Sequence, residues 1–332
     1  MKFALIICTY MRPKSLQILL ESVRIQTLYP DEILIVDGST NDETSAMLES
    51  NHYQNLRYFK VSDDQRGLTK QRNVGIDMSG AESEILCFLD DDTILDAKYF
   101  ENLLATYNRF PNALGVSGYI TNEGGAWKYM GDHYRVKIDE YYFDGFIRPD
   151  SSRNILRKKL NLISDVPPGF MPTFSHGRST GYLPPTGKTY RVEQMMGGVS
   201  SFKRSVFENI RFSTFFEGYG LYEDADFTLR VSKIGSLYVN TAAKVEHHHD
   251  SSGRPNMFKY GEMVVRNGYY VWRVGHPDPD LKSKLKWHAI TLLLTGIRFV
   301  NIFTTAKRKE AASETFGRLS AYVKLFFNAP KP

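Results

Sequence analysis

Apolar and polar positions alternate in blocks along the first hundred residues. Residues 3–8, 33–36, 56–61 and 85–89 form short apolar runs of strand length, and the last (Ile85, Leu86, Cys87, Phe88, Leu89) has the composition of a strand buried on both faces. After the first run, Leu16, Leu19, Leu20 and Val23 recur at the spacing of one buried helix face, with Ser15 as a candidate cap. Strand, loop, helix, strand is the order of a parallel sheet with right-handed crossovers, so the pattern predicts an α/β fold. Further on, Phe227, Val231 and Ile234 predict a helix whose first turn holds Glu223, Asp224 and Asp226, and residues 237–239 and 243–245 predict two more strands. The helix expected around residues 204–207 follows a short strand after Gly197-Gly198. Residues 118–146 lose periodicity and are rich in Tyr and Trp, while residues 164–190 crowd five prolines among four glycines. Such stretches serve as lids or substrate loops, or pack on the sheet or on a second subunit.

Composition narrows the class without changing this outline. At 332 residues, with ordinary apolar and charged fractions, the chain has ample sequence for a sizeable core. Its two cysteines, Cys8 and Cys87, lie inside apolar runs and read as buried thiols in a reducing compartment. From Leu281 onward ten Lys and Arg face two acidic residues, about +8, which leaves about −3 for the remainder of a chain whose total is +5. The apolar run after Met1-Lys2 is too short for a secretory signal, so a cytoplasmic protein is expected. No uninterrupted apolar run approaches about 18 residues, so no membrane span is expected. The apolar stretch 287–305, broken by Gly296 and Arg298 and followed by Lys307-Arg308-Lys309, suits helices resting on an anionic leaflet, packed on the body, or forming a dimer contact.

Candidate chemistry gathers where apolar runs end. Asp90-Asp91-Asp92 closes the buried run 85–89, and three adjacent carboxylates favour a hard divalent cation with phosphate oxygens, or else a solvated turn. Ligands bind outside the carboxyl ends of strands in open α/β sheets, which favours the first option. Asp37 ends the second run, where it can accept from a nucleobase imide or a ribose hydroxyl, or make an Asx-turn with Ser39. Arg66, Lys70 and Arg72 stand at a helix start that favours an anion, though they would also suit a solvated face. In Glu246-His247-His248-His249 an extended backbone turns His247 and His249 to one side and His248 to the other.

Residues 6–12 (Ile-Ile-Cys-Thr-Tyr-Met-Arg), 35–39 (Ile-Val-Asp-Gly-Ser), 67–75 with Arg72-Asn73-Val74-Gly75, and 88–92 (Phe-Leu-Asp-Asp-Asp) stand in the order and spacing of family 2 glycosyltransferases. The chain resembles that family over its first hundred residues, and the pattern resumes at Met195-Met196-Gly197-Gly198 and at Glu223-Asp224. One of the two acidic residues usual before the family's Gly-Ser is replaced by Val36. The resemblance implies a GT-A fold: a Rossmann-like, mixed but mostly parallel sheet flanked by helices, here with a C-terminal helical extension. It implies a nucleotide-sugar site in which Thr9, Tyr10 and Arg12 lie near the nucleotide, Asp37 on the base, and Gly67, Arg72 and Asn73 around the ribose and diphosphate. Asp90, Asp91 and Asp92 would form the Asp-X-Asp region, with Asp90 and Asp92 on Mn2+ or Mg2+ and His247, ahead of His249, as a third ligand. Gly198 would let backbone approach the sugars. Asp224, beside Glu223, would be the general base of an inverting transfer.

The expected organisation is a catalytic domain over residues 1–255, with a nucleotide-sugar half at 1–115 and an acceptor half at 116–255, followed by a basic helical region at 256–332. The expected activity is metal-dependent transfer of a hexosyl group from a nucleoside-diphosphate sugar, UDP favoured, to a glycan or lipid-linked glycan in bacterial surface-polysaccharide synthesis. Expected partners are donor, acceptor, an anionic membrane contacted peripherally on its cytoplasmic side and a second subunit, with no nucleic acid. A sugar-1-phosphate nucleotidyltransferase would need a Gly-rich first loop that Thr9-Tyr10-Met11-Arg12-Pro13 does not supply. A non-catalytic carbohydrate-binding protein would not need the acid pair, Glu223-Asp224 and the His run together.

Overall fold

The computed structural model describes residues 1–123, 125–216, 218–249 and 255–332. Contacts along the backbone divide the chain into two compact units, Met1–Gly125 with Ser179–Gly253, and Ala126–Arg178 with Arg254–Pro332.

The first unit opens with β1 (Phe3–Thr9), α1 (Pro13–Arg24), β2 (Glu32–Asp37), α2 (Glu43–Glu49), β3 (Leu56–Lys60), α3 (Leu68–Met78), β4 (Ile85–Asp90), β5 (Thr93–Leu95), α4 (Tyr99–Arg109) and β6 (Ala113–Ile120). The second unit then supplies β7 (Lys128–Tyr129), β8 (Glu140–Phe143), β9 (Phe146–Pro149) and α5 (Ser152–Lys159). The chain returns to the first with β10 (Thr189–Val192), β11 (Val199–Lys203), α6 (Glu223–Ser232) and β12 (Ser236–His247). It ends in the second with α7 (Met257–Gly275), α8 (Leu281–Thr304) and α9 (Arg308–Lys324).

Among the described residues the sheet of the first unit runs β3-β2-β1-β4-β11-β6-β12-β10, with β5 on β12. Strands β1 to β4 are parallel, whereas β11 enters antiparallel between β4 and β6. Both faces of β1 are covered. Phe3, Leu5 and Ile7 join the core containing Leu16, Leu19, Leu20 and Val23 of α1, while on the other side Gly75 lets α3 approach so closely that a Cβ there would lie 2.4 Å from Ile6 Cγ2.

Three expectations shift. Helix α1 starts at Pro13, whose fixed φ suits the first turn, so Ser15 lies inside the helix and does not cap it. Residues Arg204–Glu208 form a 3-10 turn and no α-helix. The two strands expected at 237–245 are one twelve-residue strand, β12, with a register irregularity between Val239 and Lys244.

In the second unit, β7, β9 and β8 form an antiparallel sheet within the stretch that lacked periodicity. Its C-terminal helices pack closely: Cβ atoms at Gly261 of α7 and Gly317 of α9 would lie 2.3 Å from Glu314 O and 2.0 Å from Phe258 O across the pair. Trp272 and Trp287 stack at 5.4 Å between ring centroids, and Trp272 Nε1 donates to Thr173 O at 2.9 Å. Helix α8 is long and apolar enough to cross a membrane by length and composition. A search for unbroken apolar runs passes over it because Gly296 and Arg298 interrupt the run.

Since neither backbone can yield, Gly317→Ala should force α7 and α9 apart and cost about 1–3 kcal/mol, seen as a lower urea midpoint with an unchanged slope. A midpoint equal to wild type would show that this crossing is looser than described.

Candidate functional site

Parallel register brings the carboxyl ends of three strands together, with Thr9 of β1 opposite Asp37 of β2 and Cys8 opposite Asp90 of β4. Because β2 and β4 flank β1 on opposite sides, the strand order reverses there, the position at which open α/β sheets form ligand crevices.

The Asp triplet divides its roles by direction. Asp91 is buried, accepting from Thr9 Oγ1 at 2.7 Å and from Arg12 Nη1 at 3.0 Å. Burial pushes its carboxyl up to about 7 against the pull of Arg12 and Thr9. The middle residue thus fastens the β1 loop to the turn after β4. Asp90 and Asp92 meet His247, one ligand atom from each lying within 4.8 Å of the others. His247 is delivered by β12, whose register sets it opposite Thr93 of β5, and the His248 N–H donates to Asp92 O at 2.9 Å.

His247 has its Nε2 3.1 Å from Asp92 Oδ1 and its Nδ1 3.1 Å from Glu123 Oε1. Burial favours the neutral ring, but the Asp92 and Glu123 carboxylates outweigh it and raise its pKa to about 10. His249 reaches the same Glu123 oxygen at 2.7 Å, its ring centroid 4.0 Å from that of His247, whereas His248 turns to Glu246. Two carboxylates and an imidazole form a hard oxygen and nitrogen donor set suited to Mn2+ or Mg2+. Glu123 orients the ring from behind, as carboxylates do for metal-bound histidines. The residues therefore fit the expected cation. Sequence reasoning missed Glu123; its signal was a carboxylate just past the end of an apolar strand.

Behind these groups lies a buried ion-pair network. Arg72, 2% exposed, bonds Glu223 Oε1 through Nη1 and approaches Asp90 Oδ1 at 3.3 Å through Nη2. Its guanidinium lies 5.2 Å from the Phe212 ring centroid. Burial pushes the Glu223 carboxyl up while Arg72 opposes it, and Glu223 Oε2 has no hydrogen-bond partner among the described residues. Asp224 accepts from the N–H groups of Gly197 at 3.2 Å and Ala225 at 2.8 Å. Burial raises its pKa against those two bonds. Glu223, Asp224 and Asp226 do open α6, but Asp226 is fully buried and paired with Arg230.

The Gly pair makes room for this crowding. A Cβ at Gly198 would lie 2.1 Å from Asp90 Oδ2, and one at Gly197 would lie 2.6 Å from Glu223 Oε1. Other expected residues are placed as follows. Asp37 is fully buried, accepting from Ser39 N and from Tyr58 Oη. Asn73 binds the backbone of Phe212 with both ends of its amide. Tyr10 is exposed beside the crevice loop, and Gly67, at φ +122°, precedes α3. Gln71, unremarked in the sequence, ties Thr9 O to Val36 O at 3.1 and 2.8 Å and so holds β1 to β2 at the switch point.

Comparison with known proteins gives two family matches, glycosyl transferase family 2 over residues 4–175 and the N-terminal domain of galactosyltransferase over residues 179–259. The chain is similar to the glucosyl-dolichyl phosphate glucuronosyltransferase of Haloferax volcanii, 27% identical over 130 residues that cover 39% of this chain and 41% of that protein. It is also similar to the O-antigen chain rhamnosyltransferase RfbN of Salmonella typhimurium, 28% identical over 105 residues, 31% of this chain and 32% of that one. The chain thus spans less than half the length of these relatives. Among solved structures, S. aureus TarS 1-349 in complex with UDP matches with a TM-score of 0.51 and 15% identity, over 92% of this chain and 73% of that one. That likeness is one of fold, and it agrees with the mixed GT-A sheet and C-terminal helices expected from the sequence.

Removing the guanidinium in Arg72→Met should strand two carboxylates and cost about 3–5 kcal/mol near neutral pH. Burial raises the Glu223 pKa and Arg72 holds it down, so without the guanidinium the folded pKa rises further and protonated Glu223 is favoured over a wider pH range. Stability from that protonation is present below the unfolded value of about 4.3 and is lost as pH rises through the folded one. The deficit of Arg72→Met against wild type should therefore widen with rising pH in denaturant titrations. A deficit independent of pH would mean that Arg72 acts only as packing.

Proposed function

The chain belongs to glycosyl transferase family 2, and from that premise we propose that it transfers a sugar from a nucleoside-diphosphate donor to a hydroxyl of a glycan acceptor, with inversion at the anomeric carbon. The observation that carries the reading is the meeting of Asp90, Asp92 and His247 at the carboxyl ends of the strands, close to Asp224, which contacts Gly197 beside them. Asp90, Asp92 and His247 would hold a divalent cation, Mn2+ or Mg2+, which when bound supplies positive charge to the departing diphosphate.

The remaining work falls to side chains. Asp224 takes the proton of the acceptor hydroxyl as it attacks the face of the anomeric carbon opposite the leaving group, and its raised pKa suits a base at neutral pH. Arg72 holds Glu223 away from the crevice and orients Asp90 at its edge. Arg12 and Thr9 hold Asp91 and with it the loop on which the nucleotide would rest. Asp37, Gly67 and Asn73 shape the base and ribose end through the backbone they anchor. Residues 1–255 would carry the reaction, with residues 256–332 as an accessory helical region.

The UDP complex of the similar fold supports a uridine donor. The names of the relatives, one for glucosyl-dolichyl phosphate and one for O-antigen chain, support a saccharide acceptor of the lipid-linked or surface-polysaccharide kind.

Thermal shift with UDP, GDP and dTDP, each with and without Mn2+, tests the site. Metal-dependent stabilisation by one nucleotide is expected, by about 2.7 kcal/mol at a hundredfold excess over Kd, and His247→Ala should lose the metal dependence. Asp224→Asn should retain that stabilisation and lose transfer by about 10²-fold or more; turnover like wild type in this variant would remove Asp224 as the base.

A further inference from the structure

The C-terminal helices leave an apolar surface uncovered in a regular pattern. Along α8, Leu285, Ala289, Leu292, Gly296, Phe299 and Phe303 are all exposed and recur at intervals of four, three, four, three and four residues. That is one face of a helix, about 27 Å long. Leu285 and Phe303 near its ends are 61% and 67% exposed. The opposite face is a packed one, with Trp287, Ile290 and Thr295 buried. Helix α9 repeats the pattern with Phe316, Leu319 and Val323, and Phe326 follows just past its end.

Charge identifies what covers this face. Exposed cations flank the stripe at both ends, Lys282 and Lys284 before it and Lys307, Arg308 and Lys309 after it. From Leu281 onward the acidic residues are Glu310, which pairs with Lys307, and Glu314, which is buried between Arg298 and Arg318. A second copy docked through the same stripe would set cations against cations whether the two α8 helices ran parallel or antiparallel. An anionic leaflet neutralises both ends at once.

Spanning is disfavoured by the same residues. Arg298 lies inside α8, six residues before its end, paired at 2.7 Å with Glu314 of α9, and a transmembrane α8 would either break that pair or carry it into the membrane.

We propose that α8 lies in the plane of an anionic lipid surface, its exposed stripe in the headgroup–acyl boundary and its terminal cations on lipid phosphates. The lipid contact does not rest on the transfer reaction, and its test needs no turnover, so either reading can fail while the other stands.

The test is co-sedimentation of the full chain with vesicles of phosphatidylcholine alone and of equimolar phosphatidylglycerol and phosphatidylcholine, alongside sedimentation velocity without lipid. Binding should be at least about tenfold tighter to the anionic vesicles and weaken as salt rises. The triple variant Leu292→Ser, Phe299→Ser, Phe303→Ser, with its thermal midpoint checked against wild type, should lose about tenfold or more. The variant Lys307→Glu, Arg308→Glu, Lys309→Glu keeps the apolar face and should lose the preference for phosphatidylglycerol. The proposal is overturned if wild type ignores anionic vesicles, or if the serine variant binds them as wild type does. It is equally overturned if the stripe instead drives a dimer that the serine changes dissolve.

Discussion

Five carboxylates, those of Asp90, Asp91, Asp92, Glu223 and Asp224, converge at the ends of β4 and α6, and their mutual repulsion is the constraint to which the surrounding structure answers. Each pair of like charges about 4 Å apart near a protein surface costs about 4 kcal/mol. The chain offsets this with Arg72 between Glu223 and Asp90, and with Arg12 against Asp91 and Asp92. Where cation and carboxylate must touch, side chains are removed, which is why Gly197 and Gly198 stand there. Beneath Arg72 the rings of Phe88, Phe212, Phe207 and Phe227 form an apolar floor that denies the ion pairs water and holds them in one geometry.

Burial sorts the acidic groups into different kinds. Asp91 and Glu223 are enclosed, each with a guanidinium, and serve the architecture. Asp90 keeps about a third of its side chain exposed and Asp224 is half-buried, so both can meet a ligand. A triplet that looks uniform in sequence is thus divided where β4 ends at Asp90 and the chain turns through Asp91 and Asp92, and at the end of β12 His247 faces Asp92 while His248, just past the strand, faces Glu246.

Much of this was legible in the sequence, and the reasons differ by element. The parallel strands announced themselves because both faces are buried, leaving unbroken apolar runs such as residues 85–89. Strand β12 looked like two strands because Asn240 and Thr241 interrupt it; both are buried, with Asn240 bonded to Asn102 O and Thr106 Oγ1, so polarity there marked an internal hydrogen bond and no turn. Strands β7 to β9 have two to four residues each, too few for a period to register. The inward turn of Arg72 was not legible at all, since its partner Glu223 lies 151 positions away and only the folded sheet joins them. The apolar stretch at 287–305 was legible but its uncovered face was not, for a related reason: hydropathy reports how apolar a residue is, and only packing decides whether it is covered.

The placement of β12 governs when the site comes into being. The strand occupies an interior position between β6 and β10, although it is the last strand in sequence. A nascent chain lengthening on the ribosome can pair β1 to β4 and bring Asp90 and Asp92 together with Arg12 and Arg72 long before residue 247 is made. Until then the carboxylate cluster lacks the imidazole of His247, and β6 has an open edge available to other chains. Closing that edge and bringing His247 to Asp90 and Asp92 are then one event, so a chain in which these three side chains have met is also one whose sheet no longer presents that edge.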